Sequence, residues 1–366
     1  NNGTDTGRVV FSGNNTYTSA TTISSGTLQV SGSGTLGNNA NALTIDNATL
    51  DLQKSVTVGS LSMTGTSPAI TNTTGTSSLV VSGTSTLKGN ITTSGVQTYS
   101  GAVTLGGATV INAGSGDVSF GSTTDGANTL SITTTGGTSF TGAIGTTPLT
   151  GLTISTATLT AHAITLASSN AISITNSGAG TIDGIIAGTG VTLTKAGADT
   201  LTLSGTNTYT GATTISAGVL RAANAAALGT TDSGTTVADG AALELSGGIT
   251  FNAEALTLNG TGISSGGALR NVSGANTYQG AITLASATRI NSDTTSTLTL
   301  DVASSNAITG TFNVTFGGAG NITVADPIAT STGTLTKDGS GTLTLSGANT
   351  YTGTTTVSAG TLALSN

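Results

Sequence analysis

Apolar and hydroxyl side chains alternate along most of this chain. In Gly341-Thr342-Leu343-Thr344-Leu345-Ser346-Gly347 the leucines and threonines take turns. That period of two puts leucine on one face of an extended strand and threonine on the other. Thr200-Leu201-Thr202-Leu203, Leu256-Thr257-Leu258 and Ile172-Ser173-Ile174 follow the same pattern. The runs are short and bounded by Gly, Asn, Ser or Asp, which predicts frequent turns. Threonine suits these strands: it is β-branched, stiff at χ1, and its hydroxyl can face water. The best helix candidate runs from Arg221 to Leu228 through five alanines. It is too short to stand alone, since isolated helices need roughly 12–15 residues. A turn or one short helical coil is expected there.

The strands belong to an internal repeat. Gly205-Thr206-Asn207-Thr208-Tyr209-Thr210-Gly211, followed by Ile215-Ser216-Ala217-Gly218-Val219-Leu220, returns as Gly347-Ala348-Asn349-Thr350-Tyr351-Thr352-Gly353 with Val357-Ser358-Ala359-Gly360-Thr361-Leu362. An early copy is Gly13-Asn14-Asn15-Thr16-Tyr17 with Ile23-Ser24-Ser25-Gly26-Thr27-Leu28. Looser copies surround Asn276 and Tyr278, Tyr99, and Phe140. The copies fall around residues 7–30, 95–111, 136–154, 193–222, 274–290 and 335–364. Two further stretches recur. Ala167-Ser168-Ser169-Asn170-Ala171-Ile172 returns at Ala303 to Ile308, and Leu193-Thr194-Lys195-Ala196-Gly197 returns as Leu335-Thr336-Lys337-Asp338-Gly339. No composition break marks a linker, so one continuous array over residues 1–366 is expected.

Short strands between Gly and Asn turns, repeated many times, predict a β-solenoid. Coils stack about 4.8 Å apart, with ladders of Leu, Ile and Val inside and of Thr and Ser outside. Asn at the turns fits, because it tolerates the left-handed conformation. A propeller would need blades of about 40–50 residues and more aromatics, and only 11 aromatics are present.

Composition narrows the function. Glycine supplies 55 of 366 residues, charged residues 6%, and the net charge is −7. Cysteine is absent, which removes disulfides, zinc-thiolate sites and a cysteine nucleophile. Eight Lys and Arg spread over the chain argue against nucleic-acid binding. No run of about 18 apolar residues is present to span a membrane as a helix. Asn1-Asn2-Gly3-Thr4-Asp5 is not a signal peptide.

The stretch from Leu335 to Gly353, and its counterpart from Leu193 to Gly211, resemble the autotransporter-associated β-strand repeat. Ala241 to Leu364 resembles longer arrays of that class. Gly95 to Ile154 is similar to repeats of haemagglutinin-like bacterial surface proteins. The resemblance implies a right-handed parallel β-helix, a single elongated rod, on a bacterial surface or secreted. It implies coils of about 20–25 residues, so about 15–18 coils and about 70–85 Å of length. Without a leader or a C-terminal barrel in this sequence, a piece of a passenger, or a relative exported by another route, is expected.

Candidate chemistry is sparse. His162, the single histidine, would have to serve any Ser-His-Asp triad; an outward or turn position is expected instead. Carboxylates that adjacent coils could bring beside a Lys or Arg fall in three sets: Asp46, Asp51 and Lys54; Asp232, Asp239 and Glu244; Arg289, Asp293 and Asp301. Paired-carboxylate catalysis needs a set separation, and odd spacings such as 46 to 51 turn side chains to opposite faces of a straight strand. Gly32-Ser33-Gly34-Thr35-Leu36-Gly37 matches a dinucleotide fingerprint, but no helix signal follows it. The residues nominate no catalytic, cofactor or metal site. Tyr17, Tyr99, Tyr209, Tyr278 and Tyr351, with Asn15, Asn207, Asn276 and Asn349, are expected to be structural corners.

Three functional readings follow. The first is a non-enzymatic, extracellular stalk or adhesive passenger, a rigid β-helix rod of a bacterial cell surface, in adhesion or biofilm. Its candidate partners are flanking repeats, other copies of itself, or host or matrix glycans and proteins. The second is a self-assembling fibre or sheath subunit. The chain starts inside a repeat, where Gly7 to Tyr17 aligns with Gly341 to Tyr351, and stops after another at Asn366, with no obvious cap. Open ends of that kind would stack. The third is a β-helix enzyme that cleaves polysaccharide.

Overall fold

The computed structural model describes residues 7–303 and 305–365. The leader reading at Asn1 to Asp5, Ser304 within the second Ala-Ser-Ser-Asn copy, and Asn366 at the close of the last repeat lie outside the described residues. Among the described residues the chain is all-β, a parallel β-solenoid. Its one helical element is a 3-10 turn at Ile263–Ser265. The alternation accounts for this: Leu343 and Leu345 are buried while Thr342 and Thr344, which alternate with them, are only half-buried. Arg221 and Ala222 end the strand Val219–Ala222. The alanines beyond form a turn, in which the Ala226 amide donates to the Asn224 side chain and the Ala227 amide to its carbonyl.

By its contacts the chain divides into two compact units, residues 1–178 and 179–366. In the first, Arg8–Phe11 lies parallel to Thr27–Val30, which pairs with Thr49–Leu52 and then Ala69–Thr71. A second face stacks Thr21–Ile23, Ala42–Asp46 and Ser60–Thr64. A third stacks Val56–Val58, Leu79–Val81, Gln97–Tyr99, Val118–Phe120 and Thr138–Phe140. Side-chain hydrogen bonds tie coil to coil here, as from Asn15 to Thr35, 20 residues on, and between Gln29 and Asp51, 22 apart.

The second unit also has three faces. One stacks Thr192–Ala196, Thr213–Ile215, Thr235–Val237, Leu256–Leu258, Ile282–Leu284, Ile308–Gly310 and Ile328–Ala329. Another runs from Thr200–Leu203 through Val219–Ala222, Ala242–Ser246, Leu269–Ser273 and Thr288–Ser292 to Val314–Gly317 and Leu335–Lys337. The third stacks Thr250–Phe251, Ala275–Tyr278, Thr297–Leu300, Asn321–Val324, Thr342–Leu345 and Thr361–Leu364. Coils lengthen in the middle: Thr250 pairs with Thr277, 27 residues on, and Leu256 with Ile282, 26 residues on. The turn at Ile263–Ser265 lies in this stretch.

Candidate functional site

The recurring tyrosines sit where one strand hands over to the next. Tyr17, Tyr209 and Tyr351 each pair their hydroxyl with the threonine four residues on, at 2.6, 2.6 and 2.8 Å. That threonine opens the next strand, so the pair fastens the bend between two faces. Over the Tyr17 and Tyr209 rings the following coil closes with a glycine at positive φ. A Cβ at Gly37 would strike the Tyr17 ring at 2.7 Å, and one at Gly229 the Tyr209 ring at 2.9 Å. Only glycine fits such a position. The looser copies differ. Tyr99 donates to the Gln97 side chain and Tyr278 to the Glu254 carbonyl, each at 2.8 Å. Neither has threonine four residues on. Burial pushes the Tyr99, Tyr209 and Tyr278 phenols well above their ordinary range.

The asparagines two residues earlier reach across coils. Asn207 Oδ1 accepts from the Ile186 amide at 2.8 Å, and its Nδ2 donates to the Ala227 carbonyl at 2.6 Å. Asn349 accepts from the Ile328 amide and Asn276 from the Ile249 amide. Asn15 donates from its side chain to the Thr35 carbonyl instead. One amide side chain thus completes backbone groups of neighbouring coils, which burial would otherwise leave unpaired.

Lys195 and Lys337 belong to the same construction and are absent from the residues nominated above. Each turns inward and is buried. Lys195 Nζ donates to the carbonyls of Ala196, Gly197 and Ala217 at 2.7, 3.0 and 3.2 Å. Lys337 repeats this on Asp338, Gly339 and Ala359. Burial pulls the Lys195 ammonium down to about 8, against a weaker pull upward from Asp199. Burial lowers Lys337 as well. The signal was available: Lys195 shares parity with Leu193, so alternation places it on the apolar face.

The carboxylates regroup relative to the three sets. Asp51 is buried and accepts from Gln29, Gln53 and Thr73 rather than from Lys54. Glu244 forms ion pairs with Arg221 at 2.6 Å and Arg270 at 3.4 Å, and Arg270 holds Asp293 at 2.7 Å. Arg289 pairs with Asp338, not with Asp293 or Asp301. Partners are therefore one or two coils away rather than near in sequence. A groove of about 280 Å³ beside Glu244 and Arg270, under the turn at Ile263, contains a carboxylate already committed to two guanidiniums. His162 lies half-buried between the strands Leu159–Ala161 and Ile164–Leu166. The Gly32 to Gly37 stretch leads into the strand Ala42–Asp46. Among the described residues no group of three or more metal-ligating side chains occurs, and none of their helices is long and apolar enough to cross a membrane.

Three segments of the chain, residues 4–30, 193–222 and 335–364, match the passenger-associated-transport-repeat family. Comparison with curated proteins gives no significant match, and neither does comparison with solved structures. Each matched segment holds one tyrosine corner and strands of two successive coils. In residues 193–222, Leu193 to Lys195 pairs with Thr213 to Ile215, and Thr200–Leu203 pairs with Val219–Ala222. In residues 335–364, Leu335–Lys337 pairs with Thr355–Val357, and Thr342–Leu345 with Thr361–Leu364. A transport repeat in this chain is thus one coil together with the coil stacked upon it.

Proposed function

We propose that this chain is a non-enzymatic segment of an exported bacterial passenger, with a structural or adhesive role at the cell surface. The observation that supports it is the hydroxyl pair of Tyr17, Tyr209 and Tyr351, repeated in all three transport repeats. In this reading tyrosine, asparagine and the inward lysine are corner pieces that fasten coil to coil, and the outer faces meet the surroundings. One such face carries Thr194, Thr214, Thr236, Thr257, Thr283 and Thr309 in register on successive strands. The strands of that face hold a single charged side chain, Lys195, and it is turned inward. An uncharged rank of hydroxyls and methyls suits contact with neutral matrix glycans or proteins more than it suits catalysis.

Bacteria producing the chain within its native protein, compared with cells lacking it, test this reading. External protease should remove the chain from intact cells, and its loss should reduce attachment to glycan- or protein-coated surfaces. A chain protected from external protease, or purified protein that releases new sugar ends from a polysaccharide, would overturn it.

A further inference from the structure

We propose that Glu254 is a proton-operated latch in the second unit: protonated, it holds the loop of residues 252–255 in the core, and ionised, it lets that loop go.

The loop joins the strands Thr250–Phe251 and Leu256–Leu258. Asn252, Ala253 and Ala255 are exposed, and Glu254 alone turns inward, with 3% of its surface accessible. One carboxyl oxygen, Oε1, accepts from the Thr235 hydroxyl at 3.1 Å. The other, Oε2, is buried with no hydrogen-bond partner. No Lys or Arg among the described residues forms an ion pair with it. The ionisable groups that face it are two phenols, Tyr209 and Tyr278. Both hydroxyls are already engaged, Tyr209 with Thr213 and Tyr278 with the Glu254 carbonyl. The strand Thr235–Val237 offers it only the Thr235 hydroxyl. A carboxylate in this place would have neither a counter-charge nor a donor for Oε2, so burial favours the neutral acid.

Burial accordingly pushes the Glu254 carboxyl from 4.5 up to about 7, with the Thr235 bond opposing in part. A folded-state value above the unfolded one contributes stability that is fully present below the unfolded value and is lost as pH rises through the folded one. The window is therefore pH 4.5 to 7, and the second unit is tighter on the acid side. Lys195 titrates higher, at about 8, and in the opposite sense.

Amide hydrogen exchange of the whole chain tests the latch, read at Thr235 and Leu256. The Thr235 amide donates to the carbonyl of Ala255, inside the loop, and the Leu256 amide, just after the loop, donates to that of Ala281 on the next coil. After correction for intrinsic exchange, protection in the wild type should fall roughly 60-fold between pH 5 and 7.5. In Glu254→Gln, which keeps the shape and loses the proton, it should stay flat. A parallel fall in both proteins, or no fall in the wild type, would overturn the proposal. Should the variant not fold, calorimetric unfolding of the wild type at pH 6, in buffers of different ionisation enthalpy, decides the matter. Release of close to one proton from the second unit is expected, and release of none would overturn the latch.

Discussion

The two units fill an inward corner with different chemistry. In the first, Tyr99, Phe120 and Phe140 come from successive coils and stack at 5.2 and 4.5 Å, with interplanar angles of 16° and 1°. In the second, the closest ring pair is Phe251 and Tyr278, tilted by 34° at 6.4 Å, while Tyr209 makes a hydroxyl pair instead. Around these rings lie Thr213, Thr235 and Glu254. Apart from the Tyr99 hydroxyl, which Gln97 holds, the aromatic ladder asks for apolar burial and regular spacing, and its coils stay near-constant in length. The polar corner depends on every donor and acceptor being placed, and one oxygen of Glu254 is not. Longer coils around Ile249 go with it. Sensitivity to solution conditions is thus expected in the second unit and mechanical regularity in the first.

The largest test of this contrast is Phe120→Ala, at the centre of the ladder. It should cost about 3–5 kcal/mol, measured as a shift in denaturant unfolding. Because solenoid stability is nearest-neighbour, the loss should fall on the first unit's protection from exchange and spare the second. A cost below about 1 kcal/mol would mean that the stacked rings are not what holds the first corner. Asn207→Ala should come next, at about 2–3 kcal/mol, because it orphans the Ile186 amide and the Ala227 carbonyl together. Exchange at Ile186 is the local readout, and an unchanged rate there would remove asparagine from the coil-fastening role. The smallest effect separates buried from open copies of one motif. Tyr209→Phe should cost about 1 kcal/mol, since it leaves the buried Thr213 hydroxyl alone. Tyr351→Phe, with its hydroxyl pair exposed, should stay within about 0.5 kcal/mol. Equal costs would mean that burial does not set the worth of this pair.

Much of the fold was legible because a period of two is local. Leu201, Leu203, Leu343 and Leu345 announce their own inward direction, and Gly and Asn mark where coils bend. The all-β parallel solenoid and the resemblance to autotransporter passenger repeats both rest on such short-range signals; the strand pairing bears out the first and the three matched passenger-associated transport repeats the second. The charged ladder was not legible in the same way. Arg221, Glu244, Arg270 and Asp293 meet across steps of 23, 26 and 23 residues, and no fixed period joins them. Irregular coil length hides such pairs from any reading of neighbours in sequence. Glu254 was hidden for a related reason. It lies in a loop, where alternation says nothing, and its burial is made by Thr235 and two tyrosines from other coils. Lys195 is the opposite case: its parity pointed inward, and only the habit of placing charge outside obscured it.

The carbonyl cage around Lys195 and Lys337 also makes each amine inaccessible to chemistry. Lys54 and Lys88, the other lysines, are only half-buried. An amine-acylating reagent should therefore mark Lys54 and Lys88 on the folded chain and leave the two caged amines bare. Both caged lysines lie in the second unit, so the mass of their peptides becomes a clock for the opening of that unit alone. Each transport repeat that carries this lysine holds its own chemical record of whether its coils have parted.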